Sequence, residues 1–128
     1  MNITEDYVSY GVAKLLKEKG FDEPCQKCYY ISTKSIEDVH NGRNTTLLSF
    51  FISCPTLQMA MKWLREVHNI FIIVYLFDRE KPFTENSLYT CDIATNKTSS
   101  QQGHLRGVWK TYEEAVKAAL KYVLTNLI

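Results

Sequence analysis

The sequence predicts a single α+β domain of two layers, with three helices packed on a four- to five-stranded, mostly antiparallel sheet. Two observations support this prediction. Three segments repeat apolar residues at the three- and four-residue spacing of a helix that is buried on one side. Five other segments carry the β-branched and aromatic residues that strands favour. The predicted order is α-β-β-α-β-β-β-α, and such an order is typical of a sheet with helices on one face.

Length and composition fit one domain, residues 1–128. A chain of 128 residues can bury one hydrophobic core, and 45% hydrophobic with 23% charged residues is ordinary for a globular protein. The 15 basic and 14 acidic residues give a net charge of +1, which supplies no long-range field toward nucleic acid or an anionic membrane. No segment has the pattern of a signal peptide or a membrane span, so we expect a cytoplasmic location and no membrane contact.

The first helix has signals at both ends. Thr4 is predicted to cap its start. Its apolar stripe consists of Val8, Val12, Leu15 and Leu16. Gly20 suits the left-handed position after the last turn, and Phe21 is placed to fold back on the stripe, as a Schellman-type stop requires.

The middle of the chain predicts two strands, at 28–33 and 46–53, joined by a long connection that contains the turn signal Asn41-Gly42. A helix follows, with Pro55 in its first turn. Its predicted buried face consists of Leu57, Ala60, Met61, Leu64 and Val67. A strand at 70–77 comes next. The passage from strand to helix to strand is a candidate right-handed crossover, which would make the sheet mixed.

The last part of the chain predicts strands at 87–95 and 105–109, with the polar stretch 95–103 as a mobile hairpin loop between them. The final helix begins at Thr111-x-x-Glu114, a capping box. Behind this box, one apolar face consists of Val116, Ala119, Leu120, Val123 and Leu127.

Three stretches are distinctive as a set: YVSYGVAKLLKEKGFDEPC at 7–25, PTLQMAMKWLREVHNI at 55–70, and TYEEAVKAALKY at 111–122 with NLI at the end. Together they resemble a family of small hypothetical proteins from gut Bacteroidales and their phage-like or mobile elements. The segments 34–44 and 78–106 depart from the family pattern. The resemblance implies an origin in a phage or mobile element and implies no activity.

Cys25-Gln-Lys-Cys28 is the most motif-like element in the chain. A thioredoxin-type C-x-x-C opens a helix, whose N-terminus lowers the thiol pKa, whereas this pair follows a helix and leads into a strand. As a zinc site it lacks a second matched pair, and Cys54, Cys91 or a histidine would have to complete it. We interpret the pair as two incidental reduced cysteines.

Cys54 precedes a helix start, where the helix dipole favours a thiolate. A histidine base would have to come from His40, His68 or His104. No family-specific sequence surrounds this cysteine, so we expect no catalytic residue, cofactor or metal. A thiol- or metal-dependent enzyme remains the third hypothesis for the function.

Charged residues on the first and last helices suggest the second hypothesis, a nucleic-acid-associated accessory protein. The lysines concerned are Lys14, Lys17, Lys19, Lys110, Lys117 and Lys121. No recognised binding motif accompanies them. The paired carboxylates Glu113 and Glu114 open a helix, where acidic residues complement the dipole.

The strand at 70–77 is apolar on both faces, because its even and its odd positions are all apolar and successive side chains alternate. A strand with one face in water should instead alternate with polar residues. The domain itself, a second copy or a ligand must therefore cover the second face. The predicted partner or ligand surface consists of Phe71, Ile73, Tyr75, Phe77, Phe51 and Tyr89. The leading hypothesis is a non-enzymatic interaction module, a homodimer that uses this surface.

Overall fold

The computed structural model describes residues 3–78, 80–96 and 105–128. These residues confirm the α+β class, with three helices and five strands in two antiparallel sheets. In chain order the elements are α1 Tyr10–Glu18, β1 Cys25–Tyr30, β2 Ser35–Gly42, β3 Phe51–Ser53, α2 Leu57–His68, β4 Ile70–Leu76, β5 Tyr89–Thr95 and α3 Tyr112–Asn126.

The strands form two separate sheets in place of the one predicted. The first sheet has the order β2-β1-β3 and the second has the order β4-β5. The strands on either side of α2, β3 and β4, therefore belong to different sheets, and the predicted crossover is wrong. Each strand pair in the described residues is antiparallel.

Three strand predictions need correction. The connection after β1 contains β2, which pairs with β1 as an antiparallel hairpin through a turn with Lys34 at φ 56°. The strand predicted at 46–53 is limited to Phe51–Ser53. The segment 105–109 forms only an isolated bridge between Trp109 and Tyr89. Most of the predicted loop 95–103 lies outside the described residues.

The helix ends follow local chemistry, with two shifts: α1 starts later than predicted, and Pro55 lies before the N-cap of α2 instead of in its first turn. Ser9 caps α1 in place of Thr4, accepting the Val12 N–H at 3.3 Å. The predicted stop is confirmed: Gly20 has φ 93°, and the Phe21 N–H donates to the Leu16 carbonyl at 2.9 Å.

The start of α1 is later than predicted because the chain before it is extended and paired. Tyr7 bridges to Thr56, and the Val8 N–H donates to the Pro55 carbonyl at 3.1 Å. Val8 is therefore buried outside the helix, although its spacing matches the helical stripe.

The other two helices begin at threonines. Thr56 caps α2, accepting the Met59 N–H at 3.1 Å, and Thr111 caps α3, accepting the Glu114 N–H at 3.1 Å. Asn69 ends α2 in the left-handed conformation at φ 54°. No helix in the described part of the chain is long and apolar enough to cross a bilayer.

The core lies between the helices and the two sheets. Among its fully buried side chains are Leu16, Phe21, Leu64, Leu120 and Leu124. The prediction for Val67 is wrong, since this side chain is 55% exposed. Trp63 is buried on α2 in its place and packs edge-on against Phe21 with 5.5 Å between ring centroids.

In the first sheet, β1 and β3 carry buried residues on both faces, whereas β2 is exposed along most of its length. Tyr29 and Ile52 are paired across β1 and β3 and belong to the core. On the other face Cys28 and Ser53 are opposite each other and only 2% and 1% exposed. At one end of this face the ring of Phe50, from the connection 43–50, packs on Tyr30 with 5.7 Å between ring centroids.

Asn44 fixes that connection to the body of the domain. Its Nδ2 donates to the Phe21 carbonyl at 2.8 Å, and its Oδ1 accepts the Ser53 N–H at 3.0 Å. One side chain thus holds the connection to the end of α1 and to β3.

Candidate functional site

Strand β4 separates a covered face from an uncovered one. Its even positions point toward the helices: Ile70 is buried, and Ile72 and Val74 pack against the core. The odd positions point away, because successive side chains of a strand alternate. Phe71 is 45% exposed, Ile73 49% and Phe77, just past the strand, 60%. The domain leaves this second face uncovered in its described residues.

The register with β5 completes this surface. Ala94, Asp92 and Thr90 lie opposite Phe71, Ile73 and Tyr75, and directly opposite residues share a face. The Phe77 N–H donates to the Leu88 carbonyl at 2.9 Å, which extends the register by one pair. We call this surface the outer face. It consists of Phe71, Ile73, Tyr75, Phe77, Leu88, Thr90, Asp92 and Ala94.

The outer face carries one charged side chain, Asp92. Its Oδ1 accepts a hydrogen bond of 3.2 Å from the Tyr75 hydroxyl, next to it on the same face. The carboxylate is therefore held by a neighbour, and the rest of the row along β4 is apolar.

A cleft of about 430 Å³ borders the outer face at the Phe77 end. The segment 105–108 forms its far wall, and Thr90 anchors that segment by donating from Oγ1 to the Gly107 carbonyl at 2.8 Å. The apolar row along β4 thus ends at a cleft that Val108 also lines.

Two of the six predicted surface residues lie elsewhere. Tyr89 is opposite Leu76, so its side chain is on the helix side, where it packs edge-on against Tyr112 at 6.3 Å. Phe51 belongs to the first sheet, where its ring contacts Phe50 at 4.8 Å and Tyr30 at 5.5 Å. The structure therefore brings together Phe71, Ile73, Tyr75 and Phe77, without the other two.

Four residues on the β5 side, Leu88, Thr90, Asp92 and Ala94, belong to the outer face but were not predicted. The alternation of polar and apolar residues along β5 could have indicated these positions. Thr90 and Asp92 are polar, whereas Cys91 and Ile93 are apolar and buried, so the even positions of β5 had to face outward.

The three cysteines of the first sheet and its neighbourhood are buried and free. Burial raises the pKa of Cys25 to about 11 and that of Cys54 to about 12, and it also raises the pKa of Cys28. A thiol nucleophile needs a lowered pKa and access to substrate. The arrangement around these thiols is therefore that of structural cysteines.

Cys91 lies in the second sheet, apart from the C-x-x-C pair, and burial raises its pKa as well. Among the residues that the structure describes, no three His, Cys, Asp or Glu side chains are grouped so as to hold a metal ion.

The histidines do not meet the thiols in the described structure. The His68 ring packs edge-on against Trp63 at 4.8 Å, and its Nε2 is buried without a hydrogen-bond partner among the described residues. His40 contacts the side chain of Asn41 at 3.3 Å on the exposed strand β2. His104 lies outside the described residues.

The charged residues of α1 and α3 lie where solvated residues are expected. Lys14, Lys17, Lys117 and Lys121 are all exposed. Glu113 and Glu114 occupy the first turn of α3, as predicted. No binding geometry brings these groups together in the described part of the chain.

In comparisons with known proteins, no family model, no curated protein and no solved structure matches this chain. The outer face is therefore the feature from which a function is inferred.

Proposed function

We propose that this protein is a non-enzymatic protein-interaction module that binds a second copy of itself through the outer face. The supporting observation is the row of Phe71, Ile73 and Phe77, which stays about half exposed while the alternate residues of β4 pack on the core. Contiguous exposed apolar patches on a small domain mark interaction sites.

The size of the row suits a dimer interface. A large apolar side chain has about 150–250 Å² of surface, so residues this exposed contribute on the order of 230–390 Å² per copy along β4. A standard interface buries about 800 Å² per partner, of which somewhat more than half is apolar. The row supplies most of that apolar part, and the polar residues of β5 would supply the rim.

The charge of the outer face also favours a second copy. Its one carboxylate, Asp92, is already hydrogen-bonded to Tyr75 within the same chain. With the contact centred on β4, Asp92 on β5 lies at the polar rim, where its carboxylate remains in water and the two copies avoid burying like charges. A twofold contact is isologous, so the same patch serves both copies.

A cytoplasmic location and an origin in a phage or mobile element are part of this proposal. The four cysteines are all free, which suits a reducing compartment. The origin rests on the resemblance of the three segments 7–25, 55–70 and 111–128. Raised thiol pKa values and exposed lysines give no specific support to an enzyme or a nucleic-acid-binding protein.

Sedimentation equilibrium at micromolar concentration tests the contact. We expect the unmodified protein to form a dimer or a larger symmetric assembly, and Ile73→Lys to weaken the association at least about tenfold, because a lysine would be buried in an apolar interface. Ile36→Lys is the matched control. It changes an isoleucine of similar exposure, 46% against 49%, on a strand of the other sheet.

Comparison of Ile73→Lys with Ile36→Lys distinguishes the possible results of this experiment. Equal association of the unmodified protein and Ile73→Lys would contradict the proposal, as would a protein that stays monomeric at every concentration. A monomer that binds a different protein through Ile73 would show an interaction module with another partner.

A further inference from the structure

The backbone groups along one edge of β4 point away from β5. In an antiparallel pair, the residues that exchange hydrogen bonds with the neighbouring strand alternate with residues whose groups point outward. The Phe77 N–H donates to Leu88 of the β5 side at 2.9 Å. The outward groups of β4 are therefore those of Ile72, Val74 and Leu76.

Tyr89 confirms this alternation independently. It is opposite Leu76, and its N–H and carbonyl both pair with Trp109 on the far edge of β5, at 2.8 Å each. Across the other edge of the sheet, within the described part of the chain, Ile72, Val74 and Leu76 have no backbone partner.

The sequence and register of β4 lack the features that usually protect a free strand. Edge strands are commonly guarded by lysine, proline, a bulge or short length. Ile70–Leu76 has seven residues without a charge, proline or glycine, and it pairs with β5 without a shift in register. Such a strand offers a template for another strand.

We propose that β4 pairs along this edge with β4 of a second copy, antiparallel about a twofold axis at Ile73. In this register Ile72 of one copy is opposite Val74 of the other, and Ile70 is opposite Leu76. All four positions carry outward groups, so each pair can exchange two backbone hydrogen bonds. The two β4-β5 sheets become one four-stranded sheet. The contact goes beyond the face-to-face contact proposed above and does not depend on it.

The twofold arrangement closes on itself. Each copy uses its β4 edge once, and the far edge of β5 is engaged at Tyr89 by Trp109 and beside it by the bond from Thr90 to Gly107. The result is a discrete pair instead of an open chain of strands. Where the outer faces also meet, the complete assembly contains four copies.

Amide hydrogen exchange on the unmodified protein tests the edge contact. At concentrations where the protein is associated, we expect slow exchange at Ile72, Val74 and Leu76, and at least about tenfold faster exchange after dilution to the monomer. Phe71 and Ile73 donate toward β5 and should stay protected at both concentrations. Fast exchange at the three outward amides in the associated protein would overturn the inference and leave the face-to-face contact standing.

A proline substitution gives a second test. Val74→Pro removes an outward N–H without removing a bond to β5, and proline is accepted on an edge with its nitrogen outward. We expect the concentration-dependent protection of Ile72 and Leu76 to disappear, and a four-copy assembly to become two copies. Val74→Thr, which keeps the N–H and the branched side chain, should retain both.

If Val74→Pro does not fold, amide hydrogen exchange in the unmodified protein is by itself a sufficient test of the edge contact. A protein that remains monomeric at the highest soluble concentration would overturn both the edge contact and the face contact. An associated protein with protected outward amides, in which Phe77→Lys on the outer face leaves the association unchanged, would support the edge contact alone. Ile73→Lys does not separate the two contacts, because the edge pairing places Ile73 of the two copies directly opposite each other.

Discussion

The two sheets differ in what happens to their second face. In the first sheet, Cys28 and Ser53 are buried on the second face of β1 and β3, and the rings of Tyr30, Phe50 and Phe51 pack on one another. In the second sheet, the outer face of β4 and β5 has no comparable cover in the described residues. Both sheets nevertheless contain a strand with apolar residues on both sides.

The two sheets also differ in the segments that connect their strands. Between β2 and β3 the chain has a side chain, Asn44, that bonds to two separate parts of the domain. The described residues between β4 and β5 leave Phe71 and Ile73 exposed. Because an exposed apolar face favours association, the second sheet is where a partner is expected.

The largest effect that tests this comparison comes from two neighbouring residues of β4. Ile70→Ala should reduce the free energy of unfolding by about 2–5 kcal/mol, since Ile70 is buried. Phe71→Ala should reduce it by less than about 1 kcal/mol when the monomer is measured. Urea unfolding of the diluted protein provides both values. Equal losses would show that the outer face is buried within one copy.

An intermediate effect is expected at the connection 43–50, which Asn44 fixes to the end of α1 and to the edge of β3. Asn44→Ala removes two partly buried hydrogen bonds and leaves the Ser53 N–H without a partner, at a cost of about 1–3 kcal/mol. The loosened connection should also speed alkylation of Cys28 and leave that of Cys91 unchanged.

Asn86→Ala is the control for this variant, because Asn86 is an exposed residue between β4 and β5. If Asn44→Ala left both the stability and the alkylation of Cys28 as they are in the unmodified protein, the hydrogen bonds of Asn44 would not stabilise the first sheet.

The effect that is smallest near neutral pH is a pH dependence of stability that belongs mainly to the first sheet. Burial raises the pKa of the Cys54 thiol from its ordinary value of 9.0 to about 12. A raised folded-state pKa means that the stabilisation is complete below pH 9.0 and is lost as the pH rises toward about 12. Each such thiol contributes a slope of about 1.4 kcal/mol per pH unit in that window.

Urea unfolding across the alkaline window measures this slope. Cys54→Ala should make it shallower by about one thiol's share, whatever the variant does to stability at neutral pH. Cys25 should behave in the same way over a narrower window, since its pKa is raised to about 11. An unchanged slope in Cys54→Ala would contradict the assigned burial of this thiol.

Much of the fold was predictable from local chemistry. The threonine at the start of α3, the glycine and phenylalanine that end α1, and the apolar stripes of α2 and α3 involve residues a few positions apart. Strand β2 was missed because nearly all of its side chains are exposed, which leaves no alternation to detect. Val67 was misplaced because the rotation of α2 depends on Trp63 meeting Phe21, a residue from another element.

The candidate site was predictable in part for the same reason. The sequence alone identified four members of the outer face, since alternation along one strand is a local property. To exclude Tyr89 and Phe51 from this surface, one would have needed to know the strand register and which strands belong to which sheet. These depend on pairing between distant segments, which a single sequence does not specify.

The sequence by itself determined the class of the domain, the ends of most helices and the doubly apolar character of 70–77. These features follow from side-chain spacing, capping and backbone conformation within one segment. Only the tertiary structure decided which apolar face is closed and which is open, because closure depends on where a separate segment packs. For this reason the doubly apolar strand could be predicted from the sequence, whereas the outer face could be identified only in the folded structure.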